Sequence, residues 1–155
     1  MIEQVLHAEA FLQRELTTSR TRPSSPANVV FMGMGEPLLN YDSVLEASHT
    51  LCSGLKRRVM LSTVGIAPRM ASLSKDGPTG LQLALSLHAP NQALRLELLP
   101  RAAKAWPLNQ VLEAAKCYEE ATGKGVLMEY IMIQGLNDKD EHAEELATLL
   151  HSHGF

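Results

Sequence analysis

The residues with the clearest chemical potential lie in one short stretch, Gly33-Met34-Gly35-Glu36-Pro37, which directly follows the apolar run Val29–Met32. Two glycines leave backbone N–H and C=O groups open to close approach. The carboxylate of Glu36 beside them can hold a cation such as an ammonium group through charge-assisted hydrogen bonds, and Pro37 stiffens the exit. A glycine-containing turn from strand to helix with a solvated Glu36 fits the same five residues equally well.

Other polar groups take positions of the same kind. Ser62, Thr63 and Gly65 follow the apolar run 59–61, and Ser86, Leu87, His88, Ala89, Pro90 and Asn91 end the run that begins at Leu81. Gln134, Asn137 and Asp138 follow a fourth run. Taken singly, Ser62 and Thr63 read first as turn caps, and His88 as an ordinary loop histidine. Glu129 is different. It sits inside VLMEYIMI, and an acid within a strand must face a partner or the lumen of a barrel. Lys56-Arg57-Arg58 reads as a solvated edge, and the methionines, including Met32, Met34, Met128 and Met132, as core filling.

The elements that must position these groups alternate regularly. Apolar spacing predicts a helix over 2–16, with Glu9 inside its stripe, and residues 17–27 read as a polar, proline-bearing loop. Strands are expected at 29–34 (buried on both faces), 59–63, 81–87 and 126–133. Helices are expected from Asp42 as cap to a stop at Gly54, and at 68–73, 91–99 and 108–122. A last helix should open on an Asp138–Glu141 capping box and bury Ala143, Leu146, Ala147 and Leu150. An α followed by four βα units predicts an α/β fold with a parallel sheet. The sheet is either an open doubly wound one or an arc of a TIM-type barrel, since a full barrel takes about 250 residues. Ligands of such sheets bind at the carboxyl ends of the strands, where the polar residues collect.

Bulk properties narrow the classes. The chain has 155 residues, 45% of them apolar and 20% charged, with a net charge of −3. That suits one globular domain with a real core, and no second domain is expected. No apolar run reaches the roughly 20 residues of a membrane span, and a near-neutral charge offers no electrostatic case for nucleic acid. Cys52 and Cys117 are far apart, which suits a reduced, cytosolic protein; two thiols build neither a zinc nor an iron–sulfur site.

The motifs NVVFMGMGEPLLNYDSV, KRRVMLSTVG, ALSLHAPNQALRLELLP and MEYIMIQGLNDKDEHAEEL, in this order, resemble the RlmN/Cfr family of radical S-adenosylmethionine RNA methyltransferases, and its RlmN branch most. The likeness runs from about residue 28 to the end; 2–16 fit less specifically. It implies a partial parallel (βα) barrel of the radical SAM kind, forming a single incomplete core domain over 1–155. The implied activity is methylation of adenine C2 in 23S ribosomal RNA and some transfer RNAs, by way of a 5′-deoxyadenosyl radical. By the same resemblance, Gly35 and Glu36 hold the amino end of S-adenosylmethionine, Ser62 contacts the same cofactor, and Ser86, Leu87 and His88 surround its nucleoside.

The family's [4Fe–4S] cluster loop of three cysteines, its RNA-binding accessory domain and its methyl-carrying cysteine have no counterpart in these 155 residues. The expectation is therefore a fragment with no catalytic or metal-binding residue of its own, inactive alone. Ala102 stands where the family usually has asparagine, and Val64 interrupts its Ser-Thr-Ser-Gly. The resemblance places the protein in the cytoplasm, or in a plastid if the source is eukaryotic, with no membrane partner. A non-catalytic scaffold module, a Cfr-like adenine-C8 enzyme and an unrelated α/β enzyme are the alternatives.

Overall fold

The computed structural model describes residues 1–15 and 28–155, so the expected loop at 17–27 lies outside the described residues. Helix α1 (Ile2–Glu15) precedes β1 (Asn28–Phe31), a 3-10 turn (Pro37–Asn40) and α2 (Tyr41–His49), which widens into a π-type turn (Thr50–Gly54). Then come β2 (Arg58–Thr63), α3 (Ala67–Asp76), β3 (Leu81–Ser86), α4 (Gln92–Leu98), α5 (Pro100–Ala105), α6 (Leu108–Thr122), β4 (Leu127–Glu129) and α7 (Asp140–Ser152). The four strands form one parallel sheet in sequence order.

Strand parity divides the sheet into two faces. Val59 and Leu61 of β2 and Leu81, Leu83 and Leu85 of β3 are all at most 1% exposed. They pack on Val44 and Leu51, on Met70 and Leu73 of α3, and on Leu108, Val111, Leu112, Ala115 and Tyr118 of α6. The α6 residues follow helical spacing, and the helix stops where Gly123 takes a left-handed conformation at φ +67°. The opposite parity carries Val30, Met60, Ser62, Gln82, Ala84, Ser86, Leu127 and Glu129. Ser62, Ser86 and Glu129 close that face at its carboxyl end.

Several expectations need correction. β1 is shorter than 29–34 and is not buried on both faces: Val30 and Met32 are about half exposed and Met34 is fully so. Among the described residues it is an edge strand with β2 as its one neighbour. β4 ends at Glu129 rather than Ile133, because β3 itself ends at Ser86 and the next N–H groups, of Leu87 and His88, both donate to the Glu129 carbonyl. Met132 and Ile131 are consequently exposed, so several methionines are not core filling. Asp42 lies inside α2, whose cap position is Asn40. The Asp138–Glu141 box does not form. Asp138 Oδ1 accepts the Gly135 N–H at 2.9 Å, and α7 starts after Lys139, buries no residue fully and leaves Ala143 and Ala147 exposed. Helix α5 (Pro100–Ala105) is additional to the expected helices. The basic run is not wholly solvated either: Arg57 is ion-paired with Glu9, which explains an acid within the α1 stripe.

Candidate functional site

The turn after β1 is built around the Glu36 side chain. Its Oε1 accepts the Leu38 N–H at 2.9 Å, capping the 3-10 turn, and the Thr63 hydroxyl at 2.7 Å; its Oε2 accepts the Val64 N–H at 2.8 Å. Gly35 has φ +129°, which side-chain-bearing residues rarely adopt, and a Cβ there would meet nothing within 4 Å. Conformation, not crowding, therefore requires glycine. Glu36 is thus no loose surface acid: it ties the end of β1 to the end of β2. Oε1 has both lone-pair directions taken, whereas Oε2 keeps one. Thr63 donates to Glu36 and accepts the Gly65 N–H at 3.0 Å, so its hydroxyl has little left for a ligand.

A residue not singled out from the sequence holds this rim from behind. Arg95 is fully buried; its Nη2 donates to the Val64 carbonyl at 2.6 Å and its Nη1 to the Trp106 carbonyl at 3.3 Å. Burial pushes its guanidinium below the ordinary arginine range. Val64 is therefore gripped through its N–H by Glu36 and through its carbonyl by Arg95. The stretch Leu94–Leu98 alternates leucine with two charges, Arg95 and Glu97, of which only Arg95 is buried, so local pattern did not mark it.

On the neighbouring strands, Glu129 Oε2 accepts the Ser62 hydroxyl at 2.5 Å and the Ser86 hydroxyl at 3.2 Å. The register explains the cluster: Ser86 lies opposite Glu129, and Ser62 opposite Ala84, two residues before Ser86. His88 follows with φ +59°. Its Nδ1 accepts the Ile131 N–H at 3.1 Å, which puts the ring proton on Nε2. Burial lowers its pKa, against an opposing pull from Glu129. Asn137, 1% exposed, organises the segment after β4: its Nδ2 donates to the carbonyls of His88 and Ile131, and its Oδ1 accepts the Ile133 N–H.

These groups surround one cavity of about 410 Å³, to which Gly35, Glu36, Ser62, Ser86, His88 and Glu129 all contribute. Leu87 does not: its side chain is 1% exposed and belongs to the core, and its N–H is committed to Glu129. Among the described residues no lysine or arginine lines the cavity, and two carboxylates do. A cationic ligand rich in N–H and O–H donors fits that lining. The residues described do not fit a [4Fe–4S] cluster. Cys52 lies beside Gly80 at the start of β3, opposite the rim, and Cys117 is exposed on α6. Among the described residues no helix is long and apolar enough to cross a membrane.

An open parallel α/β sheet in sequence order, with a polar cavity at its carboxyl end, has the architecture of an arc of a parallel βα barrel. The chain belongs to the radical SAM superfamily, whose family model matches residues 17–147. It is 42% identical over 96% of its length to a "Probable dual-specificity RNA methyltransferase RlmN" from Prochlorococcus marinus strain NATL2A. A second protein of this kind, "RlmN 2" from Protochlamydia amoebophila, is 40% identical over 97% of the chain. The chain spans 44% and 41% of these two relatives, less than half of either. The crystal structure of a radical SAM methyltransferase from Sphaerobacter thermophilus superposes with a TM-score of 0.79 at 37% identity, covering 94% of this chain and 42% of the other. The fold is accordingly a partial parallel barrel of the radical SAM kind.

Proposed function

We propose that this chain is the S-adenosylmethionine-binding part of an RNA methyltransferase core that acts on adenine C2 in 23S ribosomal RNA and in transfer RNA, in the cytoplasm. The observation that carries the reading is the cavity lining: two carboxylates, two serine hydroxyls and, among the described residues, no fixed cation. S-adenosylmethionine bears an ammonium and a sulfonium against one carboxylate, so its charge complements this lining. When bound, it supplies an activated one-carbon unit. The chain's own residues bind and orient it. The free lone pair of Glu36 Oε2 takes the ammonium, Gly35 gives backbone beside it, and Ser62, Ser86 and His88 face the rest of the molecule. Leu87 contributes through the backbone that places Ser86 and His88. The names of the relatives support RNA as the substrate class; the order of the four motifs supports the C2 branch. The single incomplete core domain over 1–155 belongs to the same proposal, as does the cluster that the rest of such an enzyme would hold.

Calorimetry of S-adenosylmethionine with the 155-residue chain tests the reading. Glu36→Gln keeps size and removes charge. Losing a charge-assisted hydrogen bond of about 1.5–3 kcal/mol weakens affinity roughly tenfold to hundredfold. Binding no tighter than that of adenosine, or unchanged by Glu36→Gln, would remove the ammonium clamp and the function built on it.

A further inference from the structure

The cluster on β2, β3 and β4 has more contacts than protons. Ser62 Oγ lies 2.5 Å from Glu129 Oε2, Ser86 Oγ lies 3.2 Å from the same atom, and the two serine oxygens are 3.3 Å apart. A carboxylate accepts only, and each hydroxyl has one proton. With both protons on Glu129, none is left for the serine–serine contact. The two hydroxyl oxygens then stand side by side with only lone pairs to offer. Glu129 Oε1 has no hydrogen-bond partner among the described residues, and Glu129 lines the same cavity.

We propose that Glu129 is a positioning residue that fixes Ser62 and Ser86 as hydrogen-bond acceptors toward the cavity, so that this side of the site takes paired N–H or O–H donors of the ligand. The proposal deepens the reading above and rests on S-adenosylmethionine as the occupant. Without Glu129, one serine proton would bond the other serine and the second would turn into the cavity, where it opposes a ligand donor. The donors come either from the vicinal hydroxyls of the ribose or from the N–H groups of the α-ammonium that Glu36 leaves free. Both present X–H groups to the same pair of oxygens.

Two variants separate positioning from packing. Glu129→Met has nearly the same length and no acceptor oxygen, only a weakly accepting sulfur; Glu129→Gln keeps one acceptor oxygen for both serine protons. Titrations with S-adenosylmethionine, its 2′,3′-dideoxy analogue and its deaminated analogue give the readout. Glu129→Met is expected to weaken S-adenosylmethionine about tenfold and Glu129→Gln to restore most of the loss. The analogue lacking the relevant donors should bind parent and Glu129→Met alike, which names the donor. Equal affinities in parent and Glu129→Met for S-adenosylmethionine overturn the proposal while leaving the ligand reading intact. A ligand-free measurement stands beside it. In serine-labelled chain, deuterium isotope shifts at Cβ report hydroxyl exchange, which should be slow for Ser62 and Ser86 in the parent and fast in Glu129→Met. Fast exchange in the parent overturns the proposal even if S-adenosylmethionine does not bind, an outcome that by itself would sink only the ligand.

Discussion

The middle of the sheet and its two edges use the same kinds of apolar side chain and bury them very differently. Leu61, Leu83 and Leu85 on β2 and β3 are 0% exposed. Met34 after β1 is 105% exposed, and Met132 after β4 is 77% exposed. Among the described residues, central strands have a neighbour on either side and α3 and α6 above, and each edge strand has one neighbour. Burial is thus a property of neighbours before it is a property of residue type. The polar site lies where the two regimes meet: Ser62 and Ser86 come from the centre, Glu36 and Glu129 from the edges.

The sharpest way to break this contrast is to cut one side chain in each region. Leu83→Ala should cost about 2–5 kcal/mol, the usual range for a fully buried leucine, whereas Met34→Ala should stay within about 0.5 kcal/mol. Urea unfolding of both variants checks it. Similar losses would mean that the edges are covered in solution.

A smaller effect is expected at the β4 side, where the tie to the centre can titrate. His88 Nδ1 accepts the Ile131 N–H only while unprotonated. Its pKa is lowered from 6.5 by burial, with Arg95 acting the same way and Glu129 opposing. A depressed folded pKa means stability that is present above the unfolded value and lost as pH falls through the folded one. The Ile131 amide should therefore lose hydrogen-exchange protection as the pH drops below 6.5, while the Leu83 amide keeps its own. A His88 ring that titrates above 6.5 by NMR would reverse the sign.

The smallest effect on folding, though visible in assembly, concerns the edges themselves. Parallel edges that are unpaired among the described residues, with exposed Val30, Met32, Ile131 and Met132, should make the chain associate as concentration rises. Met132→Lys should lower that association and leave the free energy of unfolding within about 0.5 kcal/mol of the parent. Light scattering after size exclusion measures it; a parent that stays monomeric at every concentration contradicts the exposed edges.

Much of this was legible in the chain itself. Alternating βα order, the bounds of α6, the strand over LQLALSL and the gathering of Gly35, Glu36, Ser62, Ser86 and His88 on one rim all follow from local pattern, because each element's own periodicity and its bounding turn residues mark it. Glu129 was legible as an acid needing a partner. Beyond that, local pattern ran out. VLMEYIMI reads as eight strand residues, but only Leu127–Glu129 find a ladder, since the neighbouring strand ends first. Asp138 has the composition of a helix cap and is used in a turn.

What the sequence determined by itself is the order of elements and which residues reach the carboxyl end of the sheet. What only the tertiary structure decided is how those residues use their protons. Glu36 meets Thr63 and Val64 across 27 and 28 positions, Arg95 meets Val64 across 31, and Ser62 meets Glu129 across 67. A hydrogen bond's direction depends on which donor arrives at which lone pair, and no spacing within one strand or helix carries that information.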